Sequence, residues 1–195
     1  MNFRLMVLAA LSVATHASAC PIESTPRPTA EASRLDIAGL HELMTCQPSN
    51  PANDRSPCNH FVASAIKRLY GIDVLSSPSG PLTANAMVDA MEATGSPWVA
   101  LPNSILESQS ANCSQSLANS MYVVVAAMRG SPHGHVAIVL PGIVKPSGNW
   151  GGVAPNSAAF RLDQPTGSGT FVGQPLSFAF GKSNAEKAKY YYLKR

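Results

Sequence analysis

Two apolar runs restrict the folds open to this chain more than any other feature. Met121 to Met128 (MYVVVAAM) and His135 to Leu140 (HVAIVL) are rich in β-branched residues and do not alternate apolar with polar positions. Strands that read this way are covered on both faces. Gly130-Ser131-Pro132-His133-Gly134 forms the turn between them, and Pro141-Gly142 stops the second run. Further strands are expected over 153–162, 170–180 and 189–193, with a short one at 98–101 and a loop over 145–152. The polar stretch 103–120 reads equally as helix or loop. Helices followed by an antiparallel meander make an α+β domain.

The helical part centres on Ser56 to Gly71 (SPCNHFVASAIKRLYG). Ser56 suits the N-cap, Pro57 the first helical position and Gly71 the left-handed residue after the last turn. Phe61, Val62, Ala65, Ile66 and Leu69 form one apolar stripe, while Lys67 and Arg68 face water. An amphipathic helix is expected over 32–45 from Leu35, Ile37, Leu40, Leu43 and Met44. Another runs from a Thr83 or Asn85 cap to about Ala93, with Met87, Val88 and Met91 as core filler. The Pro/Asn/Ser run 47–56 is a loop.

Cys58 falls in the first turn of the central helix, where unpaired N–H groups and the helix dipole favour thiolate over thiol. It is a candidate nucleophile, set against the plainer readings of a buried apolar residue or half of a disulfide. The candidate base is His135, which opens its strand directly after Gly134 and would take the thiol proton and return it to a leaving amine. The plainer reading there is a histidine bonded to backbone at a strand end. His60 and His133 are expected on the surface.

Residues 1–19 read as an export signal, with Arg4, the apolar run Leu5 to Val13 and the small residues Ala17-Ser18-Ala19 before the cleavage point. Residues 20–31 form a Pro/Ser/Thr-rich tether, extended and mobile, and 32–195 the folded domain. Localisation is thus secreted or periplasmic. No other stretch reaches the roughly 20 apolar residues that cross a bilayer. Net charge is +3, or about +2 without Arg4, too mild to argue for nucleic acid. Export permits disulfides among Cys20, Cys46, Cys58 and Cys113. With Cys58 kept free, Cys46–Cys113 is the expected bridge. Ala17-Ser18-Ala19-Cys20 is a degenerate lipoprotein box, which allows a lipid anchor on Cys20. No cysteine or histidine spacing suits zinc, and no cofactor is expected.

Cys-x-x-Phe-Val at a helix start, followed by Gly-His-Val-Ala-Ile-Val, resembles the NlpC-type and CHAP-type cysteine peptidases of bacterial cell wall. Thr83 to Met91 (TANAMVDAM), Gly134 to Val139, Trp150-Gly151-Gly152 and Tyr190-Tyr191-Tyr192 are similar to segments of the type VI secretion amidase effectors in the same order, from about Leu40 to the C-terminus. The resemblance implies a papain-like fold with N-terminal helices packed on an antiparallel sheet. It implies hydrolysis of an amide bond in the peptide stem of peptidoglycan, with Cys58 as nucleophile and His135 as base and then acid. Backbone N–H groups at the helix start would hold the oxyanion. A third polar group should orient the histidine, and Asn156 is the candidate, ahead of Asn149 and Asp163. Partners implied are peptidoglycan stem peptides and a cognate immunity or inhibitor protein. The chain departs from the pattern in carrying an export signal and in having His60 two residues after the nucleophile. Rival readings are an N-acetylmuramoyl amidase or acyl transferase on the same scaffold, a catalytically silent wall-binding (lipo)protein, and a disulfide-stabilised inhibitor or chaperone.

Overall fold

The computed structural model describes residues 20–44, 56–102, 104–161 and 169–195, and for residues 56–59 the backbone alone. In chain order the elements are two 3-10 turns (Ala32–Arg34 and Ala38–Leu43), then α1 (Ser56–Tyr70), β1 (Ser76–Ser77), β2 (Gly80–Pro81), α2 (Ala84–Glu92), β3 (Trp98–Ala100) and α3 (Ser108–Asn119). There follow β4 (Val124–Met128), β5 (His135–Val139), β6 (Lys145–Ser147), β7 (Gly152–Ala154), β8 (Asn156–Phe160), β9 (Thr170–Pro175), a 3-10 turn at Leu176–Phe178, α4 (Lys182–Ala185) and β10 (Lys189–Leu193). The fold is mixed α and β, built on one antiparallel sheet of six strands in the order β3-β10-β4-β5-β8-β9. It is not a plain meander, because the C-terminal β10 inserts between β3 and β4.

Period-two alternation divides the core into two layers. Val125, Ala127, Val136, Ile138, Ala158 and Phe160 pack with α1 and α2 on one face. Val124, Ala126, Ala137, Val139 and Ala159 pack with Leu117 of α3, Trp150, Leu176 and Phe180 on the other. Both central strands are buried along their whole length, as their unbroken apolar sequences require. At roughly 1.5–3 kcal/mol for each fully buried aliphatic side chain, these two layers dominate the stability.

Gly71 ends α1 at φ +69°, in the left-handed region that glycine enters without strain. Thr83 caps α2, its hydroxyl oxygen accepting from the Ala86 N–H at 3.4 Å. The expected helix over 32–45 is instead two 3-10 turns. Gly39 lies in mid-window and lowers helix propensity. The Asp36 carboxylate accepts from the Gly39 N–H at 3.0 Å, and Arg68 ties Asp36 and Glu42 to α1. Residues 145–147 pair with β7 rather than forming a loop, and 170–180 divides into β9 and a 3-10 turn after Pro175.

Residues 20–29, expected as a tether, are bonded to α3. Cys20 is bonded to Cys113, which replaces the expected Cys46–Cys113 bridge; Cys46 lies outside the described residues. Thr25 donates its N–H to the Ser116 hydroxyl at 3.1 Å, Asn119 donates its amide to the Thr25 carbonyl at 2.7 Å, and Thr29 donates to the Asn119 carbonyl at 3.0 Å. The segment is thus laid along α3. In this disulfide the Cys20 sulfur carries no free thiol. Among the described residues no helix is long and apolar enough to cross a membrane.

Candidate active site

The start of α1 lies toward the end of the sheet at which β5 begins. Phe61, three residues after Cys58, sets its ring edge-on to Phe160 with centroids 6.0 Å apart. The β5–β8 register pairs Ile138 with Ala158 and Val139 with Ser157. Continued outward, it puts Phe160 level with Val136 and Arg161 level with His135. The first turn of α1, with the Cys58 backbone, therefore lies at the His135 end.

His135 is delivered there by a fixed turn. The Asn85 carboxamide accepts from the Gly130 N–H at 3.1 Å and donates to the Gly130 carbonyl at 2.9 Å. A Cβ on Gly134 would run into the Met128 carbonyl and the Asn85 side chain, so only glycine passes this close. The His135 side chain is 4% exposed. Its ring meets Phe180 edge-on, centroids 5.0 Å apart, and Phe180 is fixed in turn by the Trp150 indole N–H donating to its carbonyl at 3.0 Å. By strand parity and by this contact, the imidazole lies in the layer of Ala137, Val139 and Phe180, across the sheet from α1.

Asn156 is not brought to His135, and its candidacy as orienting residue is corrected. Its carbonyl accepts from the Leu140 N–H at 2.8 Å, so it stands level with Leu140, five residues along β5 from the histidine. At about 3.3 Å per residue that is roughly 16 Å. The side-chain amide donates to the Pro141 carbonyl at 2.9 Å, and the Asn156 N–H donates to the Gln115 side chain at 2.8 Å. Asn156 joins a buried polar network with α3. Because the two strands run antiparallel, β8 reaches the level of the histidine at its finish, not its start. Asp163 lies outside the described residues. His133 is exposed in the turn and His60 is partly covered on α1, near the surface positions expected of both.

No protein-family model matches the chain, and no curated protein is significantly similar to it.

Beside Phe180, on the face away from α1, a cavity of about 250 Å³ is lined by Asn149, Arg161, Ser177, Phe178 and Asn184, together with Ala179 and Gly181. The Arg161 guanidinium lies 5.6 Å from the Phe178 ring centroid, and the Arg161 N–H donates to the Gly169 carbonyl at 2.7 Å. Asn149, a minor candidate from sequence, does border this end of the molecule. Arg161 escaped the sequence reading because nothing local marks it; only the β5–β8 register places it beside His135. Asn85 stood inside the TANAM segment that carries the resemblance, yet spacing alone gave it no task beyond a helix cap.

Proposed function

We propose that this protein is a papain-like cysteine amidase, similar in mechanism to the NlpC/CHAP-type enzymes and type VI secretion amidase effectors, that hydrolyses an amide bond in the peptide stem of bacterial peptidoglycan. One observation carries the reading: the helix turn that holds Cys58 and the strand that opens with His135 lie at the same end of the sheet, 77 residues apart in sequence. The Cys58 thiolate attacks the scissile carbonyl carbon. Backbone N–H groups of the first turn stabilise the oxyanion, and the His135 imidazolium protonates the departing amine. Water, deprotonated by the same imidazole, then splits the thioester and restores the thiol. An export signal over residues 1–19 would take the enzyme to the periplasm or beyond, where such a substrate lies and where a cognate inhibitor would guard the producing cell.

A second reading, a silent wall-binding module of the same architecture, is favoured by the His135 ring packing on Phe180 in the layer away from α1. Incubation of residues 20–195 and of its Cys58→Ala variant with purified peptidoglycan fragments, followed by mass analysis, separates the two. New stem-peptide fragments from the parent protein alone establish the amidase. Retained binding without cleavage, with Cys58 inert to alkylation, establishes the module.

A further inference from the structure

We propose that two adjoining cavities beside the Cys20–Cys113 disulfide form one binding site for a small anionic amphiphile, an aliphatic chain that ends in a carboxylate. The site uses none of the residues assigned to the amidase chemistry. The first cavity, of about 280 Å³, lies at the edge of the sheet between β3 and α3. Val99, Ala100, Leu101 and Pro102 line one side, and the Cys20–Cys113 disulfide lines another. No charged side chain borders it. The second cavity, of about 250 Å³, is lined by Ile22, Leu117 and Tyr122 and by two cations, Lys194 and Arg195, with no acidic residue. Pro21 and Tyr192 border both cavities. One elongated ligand can therefore lie with its apolar part in the first and its charged end in the second.

Charge complementarity decides the head group. Arg195 donates to the Ser120 carbonyl at 2.8 Å and lies 4.7 Å from the Tyr122 ring centroid, and Tyr122 meets Tyr192 edge-on with centroids 6.0 Å apart. The guanidinium is thus held in place with N–H groups to spare. Neither Lys194 nor Arg195 forms an ion pair among the described residues. Even with a terminal carboxylate after Arg195 counted, the rim is net cationic, and one carboxylate is its complement. The walls are built before any ligand arrives, because the disulfide fixes Cys20 to α3 and the Thr25 N–H donates to the Ser116 hydroxyl. A membrane surface fits less well. The large apolar side chains left in water, Ile72, Ile143 and Phe178, border neither cavity, so the apolar surface here is a slot for one chain and not a patch.

The test is calorimetric titration of residues 20–195 with octanoate, decanoate and dodecanoate, each below its micelle-forming concentration, and with decanol as the uncharged analogue. One saturable site is expected, with affinity rising about fourfold for each added methylene until the apolar cavity is full. Decanol should bind about threefold to fivefold more weakly than decanoate, as a partly exposed charge pair allows. The double variant Lys194→Gln, Arg195→Gln should close that gap, and high salt should narrow it. Ala100 is exposed on the edge strand, and Ala100→Trp, which fills the apolar cavity, should abolish binding of both ligands. If Ala100→Trp does not fold, Gln109→Trp fills the same cavity from an exposed position on α3 and must have that effect. No saturable binding, binding that survives the filled cavity, or equal affinity for decanoate and decanol overturns the site. Capture by anionic phospholipid vesicles that Ala100→Trp leaves intact, with no uptake of decanoate, assigns the two cations to a membrane surface and overturns it as well.

Discussion

The side chain of Asn85, at the start of α2, closes two hydrogen bonds with the backbone of Gly130, 45 residues later, at 3.1 and 2.9 Å. In doing so it substitutes for a strand partner at the point where β4 leaves the sheet. The turn that ends at His135 is thus anchored to the helix layer.

Asn85→Ala strips both partners from Gly130. The expected cost is about 1–3 kcal/mol of stability, read as a lower urea midpoint. On the amidase reading, kcat should fall more than KM changes, because the base is displaced while the peptide contacts remain. Asn85→Asp keeps the acceptor for the Gly130 N–H but sets a carboxylate against the Gly130 carbonyl, so it should recover little. A variant with parental kcat would show that the turn holds His135 without help.

Asn156→Ala should destabilise the fold by about 1–3 kcal/mol, since the Pro141 carbonyl loses a buried donor. Turnover per folded molecule should be unchanged at a temperature well below the melting transition. A heavy loss of kcat with intact structure would return Asn156 to the active site.

Reduction of Cys20–Cys113 opens a loop of 93 residues' separation. Chain-entropy arguments give about 4–5 kcal/mol for a loop of that size. The urea midpoint should therefore drop sharply with reductant, and Cys113→Ser should reproduce the drop without it. Below the transition, a thiol hydrolase should keep its activity in reductant. Identical midpoints in both states would show that the bonds of Thr25 and Thr29 to α3 hold the segment alone.

Glu92 gives the fold an acid limb. Hydrogen bonds from Lys189 at 2.9 Å and from the Tyr191 hydroxyl at 2.7 Å hold its carboxyl down at about 2, while burial, reinforced by the neighbouring Glu92, pushes the Tyr191 phenol up. A carboxyl with a depressed folded-state pKa contributes stability above its unfolded value, near 4.5, and loses it as pH falls toward 2. Urea midpoints should fall across that window. Glu92→Gln should flatten the fall and lower stability at neutral pH. An equally steep limb in the variant would move the acid sensitivity elsewhere.

The sequence by itself determined what depends on near neighbours. The unbroken apolar runs at 121–128 and 135–140 required a doubly covered antiparallel pair. The spacing from Phe61 to Leu69 and the glycine at 71 required α1 and its end. These signals survive because a strand's two faces and a helix's stripe are written within ten or fifteen residues. Only the tertiary structure decided the rest. Ser108 to Asn119 is too polar to be read as a buried helix, yet α3 is buried because Gln115 and Asn119 find partners in Leu140, Gly142 and Thr25, all distant in sequence. The same holds for Cys113, whose partner depends on which segment lies along α3. It holds for Arg161 and Asn156 too: antiparallel register put the arginine beside His135 and took the asparagine to the far end of the strand. Register is fixed by the summed packing of both sheet faces, and no residue carries that sum in its own neighbourhood.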